Sequence, residues 1–198
     1  MSILKLQRDF FTRDALTVAR SLPGKNIVKK IKNKKMVVKI VETEAYLGAE
    51  DKASHAYKNN KTRRTRPMFK IGGFSYIYLI YGMYYCFNVV TGPEKDPQAV
   101  LIRAAEPIQG LDIIKQNRKI NPEQTPNLTN GPGKLCEALN LDKKYNNIDL
   151  VKNKKLYLTE GTTNNIKINK GPRKNIDYAE EYKYKKWRFY IKDNKYIS

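Results

Sequence analysis

The stretch Ile71-Gly-Gly-Phe-Ser-Tyr-Ile-Tyr-Leu-Ile-Tyr-Gly-Met-Tyr-Tyr-Cys-Phe-Asn-Val-Val-Thr-Gly-Pro93 decides the fold, because its 23 positions hold no charged residue. A run of that length has the reach to cross a bilayer. Its interior argues against a membrane. Gly72, Gly73, Gly82 and Gly92 interrupt it, five of the 14 tyrosines fall between Tyr76 and Tyr85, and Phe74 to Tyr81 is dense in β formers. This pattern predicts two strands joined at Tyr81-Gly82-Met83 as a hairpin.

The neighbouring segments read as a mixed α/β chain. Thr12 is a candidate cap for a helix with apolar residues Ala15, Leu16, Val18, Ala19 and Leu22, stopped by Pro23-Gly24. A basic turn is expected from Lys29 to Lys35. Met36 to Thr43 is rich in β-branched residues and reads as a buried strand that delivers Glu42, Thr43 and Glu44 at its end. From Glu44 to Lys70 no period survives, and a loop is expected. Beyond the hairpin, Val100 to Ala105 reads as a strand and Pro107 as the first residue of a helix through Leu111, Ile113 and Ile114. Residues 117 to 130 read as a surface loop, and Gly131-Pro-Gly-Lys opens a short helix reaching Leu139. Leu156 to Leu158, Ile166 to Ile168 and Trp187 to Ile191 complete the strands. No repeat or low-complexity linker divides the 198 residues, so a single domain is expected, of a length that can bury a real core.

Composition limits the function. Thirty-nine Lys and Arg against 19 Asp and Glu give a net charge of +20, which points to a polyanionic partner, while 40% hydrophobic residues are too many for a disordered basic tail. Of the basic residues 29 are Lys, a bias that looks genomic rather than selected for arginine-specific contacts. One histidine, His55, and two cysteines, Cys86 and Cys136, are too few for a zinc site, so no bound metal is expected. Neither a disulfide scaffold nor a signal-peptide h-region is apparent, which suits a cytoplasmic protein. No P-loop or dinucleotide fingerprint is present, and no cofactor is expected.

Three features carry chemistry. Four of the few acids, Glu42, Glu44, Glu50 and Asp51, cluster beside an otherwise basic loop. Surface ion pairing is the plain explanation; the sharper one is a strand-end carboxylate acting as general base on water in a positive cleft. From Lys58 to Lys70 six bases and no acid, including Arg63, Arg64 and Arg66, directly precede the tyrosine hairpin. Cations for phosphates beside rings that stack or wedge are what nucleic-acid binding requires, with Tyr81 as the wedge. Lys134 follows a glycine turn that could face a phosphate, a weak signal by itself.

At Val41-Glu-Thr-Glu-Ala-Tyr-Leu-Gly48 the chain closely resembles the 3-methyladenine (alkyladenine) DNA glycosylase family, base-excision enzymes that flip a damaged purine and hydrolyse its bond to deoxyribose. The likeness continues through Glu50-Asp51, His55, Thr62 to Phe69, Ser75 to Asn88, Leu101 to Pro107, Asn130 to Cys136 and Trp187 to Tyr190, in family order. It implies an α+β domain with a curved antiparallel sheet, flanking helices and a protruding β-hairpin. By resemblance Glu44 is the general base, and Arg103 helps hold the attacking water and a phosphate. The backbone carbonyl of Lys174 is the third ligand of that water. Tyr46 and Tyr78 are walls around the flipped base, His55 contacts its edge, and Asn88 excludes normal guanine. Tyr81, with Met83 beside it, intercalates. Arg63, Arg64, Arg66 and Lys134 meet the DNA backbone.

The resemblance therefore implies a monofunctional, cofactor-free enzyme acting as a monomer on double-stranded DNA that carries alkylated or deaminated purines. Two departures stand out: Thr65 replaces the family's usual asparagine, and a Pro-Arg-Ile-Gly-Ile type segment appears as Pro172-Arg-Lys-Asn-Ile176. The alternative function is a non-catalytic nucleic-acid-binding module using the same basic and aromatic surface. A zinc-dependent base deaminase is disfavoured, because its H-x-E and P-C-x-x-C ligands are missing.

Overall fold

The computed structural model describes residues 4–120, 125–161 and 166–198. Its frame is a curled antiparallel sheet in which β3 (Ser75–Ile80), β4 (Tyr84–Thr91), β5 (Gln98–Gln109), β2 (Lys34–Tyr46), β1 (Asn26–Ile31) and β6 (Leu156–Thr159) lie side by side. Two further strands, β7 (Ile168–Gly171) and β8 (Arg188–Ile191), pair with each other, and β8 also pairs with the end of β2. Sequence neighbours pair as hairpins at β1–β2, β3–β4, β4–β5 and β7–β8, so most of the sheet closes locally.

Helices cover one face. In α2 (Ala15–Ser21) the stripe Ala15, Val18, Ala19, continued by Leu22, is fully buried against Val38, Ile40 and Ile102 of the sheet. Four aliphatic positions at helical spacing make that contact, and truncating a buried leucine in it would cost about 2–5 kcal/mol. In the same core α4 (Pro132–Ala138) buries Leu135, Cys136 and Ala138 with Phe87 and Val89 of β4. The short helices α1 (Arg8–Phe11) and α3 (Leu111–Arg118) complete the α+β arrangement.

The uncharged stretch is the hairpin its composition predicted. Ser75–Ile80 and Tyr84–Thr91 pair in register from Ser75↔Val89 to Ile80↔Tyr84, and Tyr81 (φ 53°) and Gly82 (φ 69°) make the turn. Among the described residues no helix is long and apolar enough to cross a membrane.

Five expectations change, the first being that the strand expected at Ile166 to Ile168 lies at Ile168–Gly171. The cap of α2 is Asp14, whose side chain accepts from the Thr17 N–H, while Thr12 ends α1 instead. The basic turn shrinks to Lys32-Asn33, because Lys29 and Lys30 belong to β1 and Lys34 and Lys35 to β2. Lys29 is fully buried with its Nζ 3.4 Å from the Tyr145 ring centre, and burial lowers its pKa to about 8. Pro107 opens no helix: it lies within β5 beside a register shift in the pairing with β2, where a missing N–H is tolerated, and α3 starts four residues later. The expected loop 117–130 begins with the end of α3 and contains a 3₁₀ turn at Thr125–Leu128; its residues 121–124 lie outside the described residues.

Candidate active site

The end of β2 is where the acids converge. Two of the three irregularities in its ladder with β5 fall here. Val41 is left over between the pairs Ile40↔Ala105 and Glu42↔Ala104, and Arg103 is left over between Glu42↔Ala104 and Thr43↔Ile102. Bulges re-aim side chains, and this one brings Arg103 to both glutamates. Its Nη1 lies 3.4 Å from Glu44 Oε1 and its Nε 3.5 Å from Glu42 Oε1.

The two carboxylates differ in what holds them. Glu42 is engaged by Arg188 Nη1 at 2.8 Å and by the Ser198 N–H at 2.7 Å, so the ion-pair explanation suffices for it. Glu44, also wholly buried, accepts from the Tyr46 hydroxyl (2.9 Å to Oε2) and from the Lys174 N–H (2.8 Å to Oε1). The backbone group of Lys174 that meets Glu44 is thus its N–H. Tyr46, Arg103 and Lys174 in turn line a cavity of about 420 Å³, so Glu44 sits directly behind the cavity wall.

Aromatic side chains make up much of that cavity. Tyr46 faces it from β2 and Tyr78 from β3, joined by His55, Tyr76, Met68 and Asn88. His55 packs edge-on to Tyr78 with ring centres 4.6 Å apart, and its Nδ1 is 2.8 Å from the Tyr76 hydroxyl. Burial first, then the charge of Arg64, lowers the His55 pKa to about 4, so the ring is neutral at pH 7. Burial, reinforced by Glu44, raises Tyr46 well above the usual tyrosine value. Burial likewise raises Tyr78. The rings of the box, Tyr46, His55, Tyr76 and Tyr78, are therefore uncharged at pH 7. Asn88, itself buried, donates through Nδ2 to the Tyr76 carbonyl at 3.1 Å, which fixes the amide orientation. Cys86 also lines the cavity, and burial pushes its thiol pKa up. Among the described residues no group of three or more His, Cys, Asp or Glu is placed to hold a metal ion.

A family model for methylpurine-DNA glycosylase matches residues 9–195. The chain belongs to the methylpurine-DNA glycosylase family. It is 50% identical over 196 residues to the "Putative 3-methyladenine DNA glycosylase" of Natranaerobius thermophilus, an alignment covering 98% of this chain and 99% of that one. Proteins of the same name from Desulfitobacterium hafniense (50% over 200 residues, 98% of each chain) and Borrelia garinii (48% over 194 residues, 98% and 99%) align as fully. The enzyme is a DNA glycosylase, and its substrate is DNA.

At the mouth of the glycosylase cavity stands the hairpin tip. Tyr81 is 74% and Met83 66% exposed, adjacent at the tip, and Tyr81 lines the opening. Exposed Arg63, Arg64 and Arg66 lie in the adjoining loop. Arg64 differs from its neighbours: its guanidinium sits 4.8 Å from the Tyr78 ring centre and 3.4 Å from His55 Nε2. Buried Thr65 ties this loop, its Oγ1 donating to the Asn60 carbonyl at 2.7 Å and accepting from the Thr62 N–H at 2.8 Å. A hydroxyl thus closes the turn where the family usually has an amide. Lys134 lines the cavity with its Nζ donating to Asn130 Oδ1.

Residue-by-residue reading gave no role to Arg173 or Asp51. They form a wholly buried ion pair beside Tyr46, with Nη1 2.5 Å from Oδ2 and Nη2 2.8 Å from Oδ1. The available signal was Asp51's place in the acid cluster. Tyr76, too, enters the cavity through its contact with His55, and only its place in the tyrosine-rich strand hinted at it.

Proposed function

We propose that this glycosylase flips damaged purines, alkylated ones above all and deaminated ones in the same box, out of duplex DNA into the cavity between Tyr46 and Tyr78. There a water activated by Glu44 hydrolyses the N-glycosidic bond. The observation that carries this reading is a fully buried Glu44, held by Tyr46, Lys174 and Arg103 immediately behind a cavity walled by neutral aromatic rings.

Each residue then has a task. Rings without charge accept a cationic alkylpurine by stacking and cation–π attraction, whereas a protonated histidine would repel it. As the C1′–N bond lengthens, its electrons leave with the base and positive charge grows on the sugar, which a nearby carboxylate stabilises. Glu44 takes a proton from the water whose oxygen bonds to C1′, leaving an abasic site and a free purine. Arg103 pairs with the carboxylate and offers its remaining N–H groups to the water or an adjacent phosphate. Tyr81 and Met83 fill the gap in the stack, and Arg63, Arg66 and Lys134 meet phosphates. The relatives' shared name, 3-methyladenine DNA glycosylase, supports this substrate class.

The test is Glu44→Gln on methylated duplex DNA. Base release should fall by at least ~10³-fold while binding to duplex persists, and wild-type products should be intact strands with abasic sites. Retained release by the variant would remove Glu44 from the reaction, and strand cleavage without alkali would replace hydrolysis by a lyase.

A further inference from the structure

Glu44 and the Tyr46 wall of the cavity are held by a buried ion pair that does not itself line the cavity. Asp51 is fully satisfied: beyond the two bonds to Arg173, Oδ2 accepts from the Leu47 N–H at 3.1 Å and Oδ1 from the Ala53 N–H at 3.0 Å. Arg173 gives Nη1 also to the Ala45 carbonyl at 2.9 Å, and its guanidinium lies 4.7 Å from the Tyr46 ring centre and 4.9 Å from that of Trp187. Both side chains have no exposed surface.

The connections have a direction. Arg173 grips the β2 carbonyl between Glu44 and Tyr46, and the next residue in its own segment, Lys174, donates its N–H to Glu44 Oε1. Asp51 grips the chain at Leu47, one residue past Tyr46, and at Ala53, two residues before His55. A single charge pair thus joins the segments that supply the carboxylate, one ring of the box and the histidine.

Burying two charges in this way is poor economy for stability alone, since well-packed apolar residues of similar volume often do as well or better. A bidentate guanidinium–carboxylate pair does fix relative position, because both hydrogen bonds are lost on a small rotation. We propose that Asp51–Arg173 is a positioning pair, which sets the angle at which the Lys174 N–H and Tyr46 present Glu44 to the reacting centre. The proposal rests on the reading of Glu44 as base.

The experiment compares wild type, Arg173→Lys, Lys174→Pro and Glu44→Gln in single-turnover base release from methylated duplex. Stoichiometric titration with a duplex holding a tetrahydrofuran abasic analogue counts the folded molecules and gives the affinity. Lys at 173 keeps the charge and loses the fork; Pro at 174 removes the N–H that meets Glu44 together with the ammonium that reaches the Ser198 carbonyl, so Lys174→Ala, which removes the ammonium alone, is its reference. Positioning predicts a 10- to 100-fold slower release per bound complex for either variant, with affinity for the abasic duplex within threefold of wild type. Unchanged release in both would overturn it, as would affinity and release falling together, which means a fold-maintaining pair only. If Arg173→Lys does not fold, Lys174→Pro decides by the same criteria. An active Glu44→Gln, by contrast, would sink the base assignment whatever the other variants do.

Discussion

The hydroxyl of Tyr46 donates a 2.9 Å hydrogen bond to Oε2 of Glu44, two residues back on the same strand. One side chain is therefore wall and tether together: its ring faces the cavity while its oxygen steers the carboxylate. Tyr46→Phe separates the two jobs. The ring stays, so affinity for lesion-bearing duplex should hold within about twofold, while single-turnover release drops roughly tenfold, the order expected for one hydrogen bond to a charged group. Tyr46→Leu should lose both. Equal affinity losses in the two variants would show that the hydroxyl matters for binding and not for orientation.

Tyr81 sits at φ 53°, in the left-handed region that costs a bulky residue about 1–2 kcal/mol. A strained exposed aromatic at a hairpin tip is a stability loss kept for another purpose. Tyr81→Gly relieves the strain and should melt no lower than Tyr81→Ala. Both variants should bind lesion duplex more weakly while changing undamaged-duplex binding less. Uniform weakening on both DNAs would assign Tyr81 to packing.

His55 is the only histidine, so its NMR titration is a single unambiguous signal. Its folded pKa is lowered from the ordinary 6.5 to about 4, with burial the larger cause and Arg64 the second. The unfolded chain therefore binds the extra proton first. The stability this ring contributes is complete above pH 6.5 and is lost as pH falls through that value toward 4. Arg64→Gln should move the midpoint part-way up, and a midpoint near 6.5 in wild type would contradict the neutral box.

The basic loop makes a prediction about salt. Each phosphate contact contributes about −0.9 to the slope of log affinity against log salt. Arg63→Gln and Arg66→Gln should each flatten the slope by up to that amount. Arg64→Gln should flatten it less, because its guanidinium packs on Tyr78 and His55.

Much of the molecule was legible where one physical signal dominated. An uncharged run broken by glycine and crowded with tyrosine could satisfy its backbone only as a hairpin, and the stripe from Ala15 to Leu22 had one reasonable partner, a sheet. Reading failed where a local preference met a tertiary solution. Pro107 carries a helix-start signal, yet the β2–β5 bulge accepts it in a strand. Lys29 belongs by composition to a solvated turn, yet its stem and ammonium lie under Tyr145. Glu44 stood out as a candidate because a strand end with clustered acids is unusual in a basic chain, but its role as base came from the family resemblance. Arg173 was silent, since an arginine among 39 basic residues signals nothing until Asp51, 122 positions away, is seen to take both its N–H groups.

Cys86 gives the cavity one more property. Electrophilic methylating agents attack thiolate and not thiol, and burial holds this sulfur in its protonated form while Cys136 is wholly enclosed. An electrophile small enough to enter the cavity therefore meets a protonated thiol at Cys86 and not the more reactive thiolate.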